Sequence, residues 1–138
     1  MNRQNINILV IDSDENVLSA LGGLLSNKGY SVRTEKNPEN AVEYLKNNIV
    51  QIAMIDLTLP DIEGIPVLEK IREASALTQI IIMSASTAPE KVIASLESGA
   101  NDFIVKPFEN LEHVAEIVEE SQKKLLRWQN VLKHSGAV

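Results

Sequence analysis

Ile52-Ala53-Met54-Ile55-Asp56 is a run of four apolar residues that stops at a carboxylate. A strand that is apolar at every position needs cover on both faces, the situation of a strand inside a parallel sheet. Three more segments have the same form. Ile8-Leu9-Val10-Ile11 stops at Asp12, Ile80-Ile81-Ile82-Met83 at Ser84, and Phe103-Ile104-Val105 at Lys106. Parallel strands bring their carboxyl ends to one edge, and open α/β sheets place their sites there. Two carboxylates, a hydroxyl and an ammonium are therefore expected to converge. A buried strand has no structural need to end on such chemistry four times.

Helical patterns fill the intervals between these runs. Val17, Leu18, Leu21, Leu24 and Leu25 recur at helical spacing up to Lys28-Gly29, where the glycine offers a stop. Tyr30 to Glu35 alternates apolar and polar residues, as a half-buried strand near the sheet edge does. Asn37-Pro38-Glu39 opens a second helix, with Asn37 as N-cap, Pro38 in the first turn, and Ala41, Tyr44 and Leu45 facing inward. After Asp56 a loop runs through Leu59-Pro60-Asp61-Ile62-Glu63-Gly64, followed by a helix burying Ile65, Leu68 and Ile71. Gly64 is read as serving backbone geometry. Pro89 starts a helix whose periodic residues are Val92, Ile93 and Leu96 and which ends at Gly99. A final helix begins near Glu109. Five strands and five helices in strict alternation predict a doubly wound α/β sandwich with right-handed crossovers.

Composition narrows the function. The 138 residues predict one domain, with a core of ordinary size. A net charge of −6, from 13 basic and 19 acidic residues, argues against direct binding to nucleic acid, which needs a basic face. Without cysteine there is no disulfide, thiol catalysis or thiolate zinc site. No signal-peptide pattern precedes the first strand and no apolar run reaches membrane-spanning length, so a soluble cytoplasmic protein is expected.

Asp12 and Asp14, two apart after the first strand, can gather with Asp56 into an all-oxygen site. Such a site suits Mg²⁺, which takes hard oxygen ligands and keeps several waters. Asp56 beside the ion would act as nucleophile toward a phosphorylated donor, with Lys106 and the Ser84 hydroxyl holding the remaining phosphoryl oxygens. Ser13 and Asp14 have a competing reading as N-caps of the first helix, and Phe103 as a plain core aromatic.

The segments Ile8 to Asn16, Ile55 to Gly64, Ile82 to Ala85 and Gly99 to Phe108 resemble, in unbroken order from residue 6 to about 122, the receiver domain of two-component response regulators. The resemblance implies a flavodoxin-like, five-stranded parallel sheet of order 2-1-3-4-5 with helices on both faces. It implies Asp56 as phospho-acceptor, Ser84 as switch hydroxyl, Phe103 as switch aromatic and Lys106 as phosphate lysine. It also implies a Mg²⁺ pocket from Asp12, Asp56 and the Thr58 backbone carbonyl, and a cis Lys106-Pro107 bond. The donor would be a histidine kinase or phosphotransfer protein, and the chain would be a signalling domain that assists its own phosphorylation and dephosphorylation.

One position departs from the family pattern. Receivers usually follow the first strand with two adjacent acidic residues, and here the second is Ser13. A neutral hydroxyl in place of a carboxylate weakens the site for a hard cation, unless Asp14 compensates. A scaffold that never takes phosphate is therefore a second reading. Phosphohydrolases of the haloacid dehalogenase type offer a third, through Asp12-Ser13-Asp14. They need a further acidic pair on a strand after the lysine, however, and would leave Asp56 unused.

The last helix is unusually long, from Glu109 to about His134, or roughly 39 Å. Its first half is acidic and its second half basic, which complements the helix dipole. Leu111, Val114, Val118, Ser121, Leu125, Trp128 and Leu132 fit heptad positions. The expectation is a receiver over residues 1–122 and a helical extension, linker or dimerisation segment over 123–138. In that extension Leu125, Trp128 and Leu132 would seek a second surface, the homodimer partner being one.

Overall fold

The computed structural model describes residues 2–59 and 62–136. A 3-10 turn at Arg3–Asn5 leads into strand β1 (Asn7–Ile11), helix α1 (Glu15–Asn27), β2 (Ser31–Glu35), α2 (Pro38–Asn47) and β3 (Ile52–Asp56). Two short strands, β4 (Thr58–Leu59) and β5 (Ile62–Glu63), precede α3 (Gly64–Ala74) and β6 (Gln79–Ser84). Helix α4 (Pro89–Glu97), β7 (Asp102–Val105) and α5 (Leu111–His134) complete the fold. The main sheet is parallel, in the order β2-β1-β3-β6-β7. Counted within that sheet alone, this is the expected 2-1-3-4-5.

The local signals explain the element ends. Asp14 caps α1, its side chain accepting the Asn16 N–H, and Gly29 at φ 100° takes the chain out of the helix. Asn37 caps α2 with Pro38 in the first turn, and Asn110 caps α5. The segment after Asp56, read from sequence as a loop, is instead a small antiparallel hairpin pairing Thr58 with Glu63 and Leu59 with Ile62. Strands of two residues are too short to show a period of two in sequence. Pro60 and Asp61 of that segment lie outside the described residues.

The all-apolar strands feed two cores. Ile8, Val10, Met54, Ile81 and Met83 pack under α1 and α5 with Leu18, Leu21, Leu25, Val114 and Val118. Leu9, Ile11, Ala53, Ile55, Ile80 and Ile82 pack on the other face with Ala41, Val67, Leu68 and Ile71 of α2 and α3. Each fully buried Ile or Leu contributes about 1.5–3 kcal/mol by leaving water. These two layers fix where every strand ends.

One periodic helix stripe faces outward, and one expectation about a helix face is corrected. Ile93 and Leu96 of α4 are 52% and 62% exposed, and the buried residue of that helix is Ser95. A 3.6-residue period marks an apolar stripe but not the surface it faces. Leu125, expected to need a second surface, is 2% exposed on its own domain. Val114, Val118 and Ser121 of the same heptad face are buried there too.

The domain reaches further along α5 than periodicity suggests because its base clasps the helix. The Tyr30 hydroxyl donates to Gln122 Oε1 at 2.7 Å. Arg3 lies over the Tyr30 ring and reaches Glu119 at 3.6 Å. Leu77, ahead of β6, lines a groove with Leu126 and Leu132. Trp128 stays outward, 54% exposed. Leu125→Ala should therefore lower the unfolding free energy by about 2–5 kcal/mol. Trp128→Ala should change it by about 0.5 kcal/mol or less, both read by urea denaturation followed by circular dichroism. Equal small effects would mean that α5 leaves the domain before Leu125.

Candidate functional site

The parallel register delivers the strand ends to one edge as the sequence implies. Asp12 follows β1 and continues its ladder through an N–H to the Glu35 carbonyl, 3.1 Å. Asp56 ends β3 opposite Met83 of β6, and Ser84 is the next residue of that strand. Lys106 follows β7, its N–H donating to the Ser84 carbonyl at 2.8 Å. The Lys106-Pro107 bond is cis.

Three of these residues form one ion cluster. The Lys106 ammonium pairs closely with Asp12 Oδ2 and lies 3.4 Å from Asp56 Oδ2. Asp12 is fully buried and its Oδ1 accepts the Asp14 N–H at 2.9 Å. Asp56 is 7% exposed, and its Oδ1 accepts the Thr58 N–H at 3.1 Å. Two carboxylates face one ammonium, so the site keeps a net negative charge. Burial pushes the Asp56 carboxyl above its ordinary value. The Thr58 N–H opposes that rise, the Asp12 charge adds to it, and Lys106 works against it.

The other candidates sit around this cluster. Ser84 is buried and its hydroxyl accepts the Ser86 N–H at 3.0 Å, so it serves its own turn rather than Asp56. Phe103 is half-buried against the α2–α3 core. Ser13 is half-buried beside Asp12. Asp14 is exposed and its side chain is engaged by the Asn16 N–H as a helix cap. That geometry favours the capping role over a metal-binding one.

Gly64 has a sharper reason to be glycine than turn geometry. A Cβ there would lie 2.7 Å from both the Asp56 carbonyl oxygen and the Leu57 Cα. The Gly64 N–H also donates to the Leu57 carbonyl at 2.9 Å. The start of α3 thus presses on the backbone that carries Asp56.

These features match a known family. The response regulator receiver domain matches residues 8–135. The chain belongs to that family. The transcriptional regulatory protein DltR of Streptococcus agalactiae is 33% identical over 87% of this chain and 54% of its own length. The response regulator ArlR of Staphylococcus aureus is 33% identical over 80% of this chain and 50% of its own. This receiver spans about half the length of those curated relatives. Among solved structures, a two-component response regulator from Clostridium difficile superposes with a TM-score of 0.83 at 27% identity, covering 88% of this chain and 98% of that one. The beryllofluoride-activated DrrB receiver domain gives 0.78 at 26% identity, covering 86% and 97%. The chain is a signalling domain in a family whose partners are histidine kinases and phosphotransfer proteins. The family match displaces the dehalogenase-type reading, and the helix that follows Lys106 is α5.

Receivers of this family use Mg²⁺, and the donor set here fits it. Asp12 and Asp56 supply hard carboxylate oxygens around one point, and Mg²⁺ is commonly held by one or two carboxylates, waters and a substrate phosphate. Among the described residues no group of three or more acidic or imidazole side chains is placed to hold a metal. The set is minimal.

The raised Asp56 carboxyl has a consequence for stability. Its protonated form is favoured by folding, so its contribution is fully present below the ordinary value of 3.8 and is lost as pH rises through the raised one. In metal-free buffer at neutral pH, Asp56→Asn should therefore be more stable than the parent by roughly 0.5–2 kcal/mol. The difference should shrink as pH falls through the raised value toward 3.8 in paired denaturation curves. A constant difference across that range would contradict the electrostatic origin.

Proposed function

We propose that this receiver accepts a phosphoryl group on Asp56 and uses it to reshape the surface of α4 and α5. The observation that carries the reading is the unequal treatment of two carboxylates by one lysine. Asp12 is fully buried and paired closely with Lys106, whereas Asp56 keeps a small opening to solvent and only a longer contact with that ammonium. Asp56 is the carboxylate a donor can reach.

In the transfer, an Asp56 carboxylate oxygen attacks the phosphorus of a phosphohistidine. The P–N bond breaks, the imidazole leaves and takes up a proton, and an acyl phosphate remains. Lys106 is placed to turn from Asp12 toward the new oxygens, and the Thr58 N–H already faces Asp56. Bound Mg²⁺ would supply positive charge that neutralises the gathered carboxylates and orients phosphoryl oxygens. Asp12, Asp56 and the Thr58 carbonyl would hold it, with Ser13 as a weak neutral neighbour. The same groups would position water for hydrolysis of the acyl phosphate.

Phosphorylation adds close to two negative charges at this edge. The Ser84 hydroxyl would leave the Ser86 N–H for the phosphate, and Phe103 would fill the space vacated. The readout would be the α4–α5 face, where Ile93, Leu96 and Val105 lie exposed. Trp128 and Val131, exposed at the end of α5, would support association with a second copy. We place the protein in the cytoplasm, where such donors act. No helix among the described residues is long and apolar enough to cross a membrane. Ser13 supports one competing reading, a receiver scaffold that binds its partner without phosphate.

Acetyl phosphate with Mg²⁺, followed by intact mass spectrometry, separates the two. One phosphoryl group should appear on the parent protein and none on Asp56→Asn. Ser13→Asp, which restores a second acidic ligand, should be modified faster and at lower Mg²⁺. Phosphate retained on Asp56→Asn would sink the assignment, and silence from parent and Ser13→Asp alike would favour the scaffold.

A further inference from the structure

Helix α3 is clamped at both ends. Its first residue, Gly64, touches the Asp56–Leu57 backbone so closely that no Cβ fits. Near its other end Arg72 is half-buried, and its guanidinium serves five acceptors. Nη1 donates to the carbonyls of Ser75, Ala76 and Thr78 at 3.3, 2.9 and 2.8 Å. Nη2 donates to the Gly99 carbonyl at 2.6 Å and to Asn101 Oδ1 at 2.8 Å.

These last two acceptors belong to the junction between α4 and β7. The Asn101 side chain also accepts the Ile80 N–H at 2.8 Å, and the Asn101 backbone N–H donates to the Ile80 carbonyl at 2.8 Å. Gly99 sits at φ 109°, and a Cβ there would lie 2.9 Å from Arg72 Nε. The positive φ favours glycine at this position, and a side chain there would also crowd Arg72. Between the clamps, Val67, Leu68 and Ile71 are buried in the same core that Ala100 and Phe103 pack against. A helix of this length spans about 16 Å and does not shorten under small loads.

We propose that α3 is a strut that couples the backbone carrying Asp56 to the α4–β7 junction, with Arg72 as its positioning residue. A displacement of the Asp56–Leu57 segment pushes the start of α3 through the Gly64 contact. The helix carries that shift to Arg72, which moves Gly99 and Asn101, and with them the end of α4 and the approach to Phe103. This route is separate from the Ser84 hydroxyl. Its use in signalling rests on the phospho-acceptor reading, but the mechanical coupling does not.

The test therefore perturbs one end and reads the other without phosphate. Gly64→Ala forces the Asp56–Leu57 backbone to shift, and hydrogen exchange reads the Asn101 and Phe103 amides. The change should be roughly five-fold or more with Arg72 present and should vanish in an Arg72→Met background. Two sites this far apart act additively unless something links them. The same fold-change in both backgrounds would overturn the strut. Should Gly64→Ala fail to fold, the reciprocal measurement decides. Arg72→Met alone should alter exchange at the Leu57 and Gly64 amides, and unchanged rates there would equally overturn the proposal. Addition of acetyl phosphate then tests the signalling use separately. Phosphate on Asp56 with an unchanged Asn101 and Phe103 response in Arg72→Met would leave the phospho-acceptor standing and remove the strut from the switch.

Discussion

One ammonium group between two carboxylates organises the working edge of this receiver. Lys106 closes on Asp12 and stands near Asp56, which lets two acidic side chains share a mostly buried site. Removing a single charge from water is costly unless it is paired, and here one cation serves two anions. The arrangement is satisfied at Asp12 and under-satisfied at Asp56. That imbalance favours arrival of more positive charge or of a group that brings its own cation. It also explains why three strands of unrelated sequence must end at the same level, since a one-residue slip would carry a charge into the apolar core.

Much of this was legible in the sequence. Runs such as Ile52 to Ile55, apolar at every position, can only be strands covered on both faces, so they specify the parallel sheet and its helical layers. The stops at Asp12, Asp56, Ser84 and Lys106 then follow from how parallel strands align. Caps at Asn37 and Asp14 and the turn at Gly29 were equally visible, because a single residue type carries the physics in each case.

What stayed hidden depends on which surface a pattern faces. Ile93 and Leu96 have the same spacing as core residues, yet they point to solvent because α4 contributes no apolar side chain to either core among the described residues. Leu125 read as surplus because nothing local shows that Tyr30 and Arg3 hold α5 against the base of the sheet. Arg72 was invisible for a related reason. Its value lies in carbonyls far along the chain, and backbone acceptors carry no residue signature. Asp14 could be a cap or a metal ligand in sequence, and its hydrogen bond from the Asn16 N–H supports the cap.

The central claim is that Lys106 is the moving charge, held on Asp12 until Asp56 carries a phosphoryl group. A crystal structure grown with Mg²⁺ and beryllofluoride, the mimic present in the solved DrrB receiver, addresses it directly. The account predicts a fluoroberyllate on Asp56 with the Lys106 ammonium contacting its fluorines and no longer closing on Asp12. A fluoroberyllate on Asp56 with Lys106 still closed on Asp12, or one bound elsewhere, would contradict it.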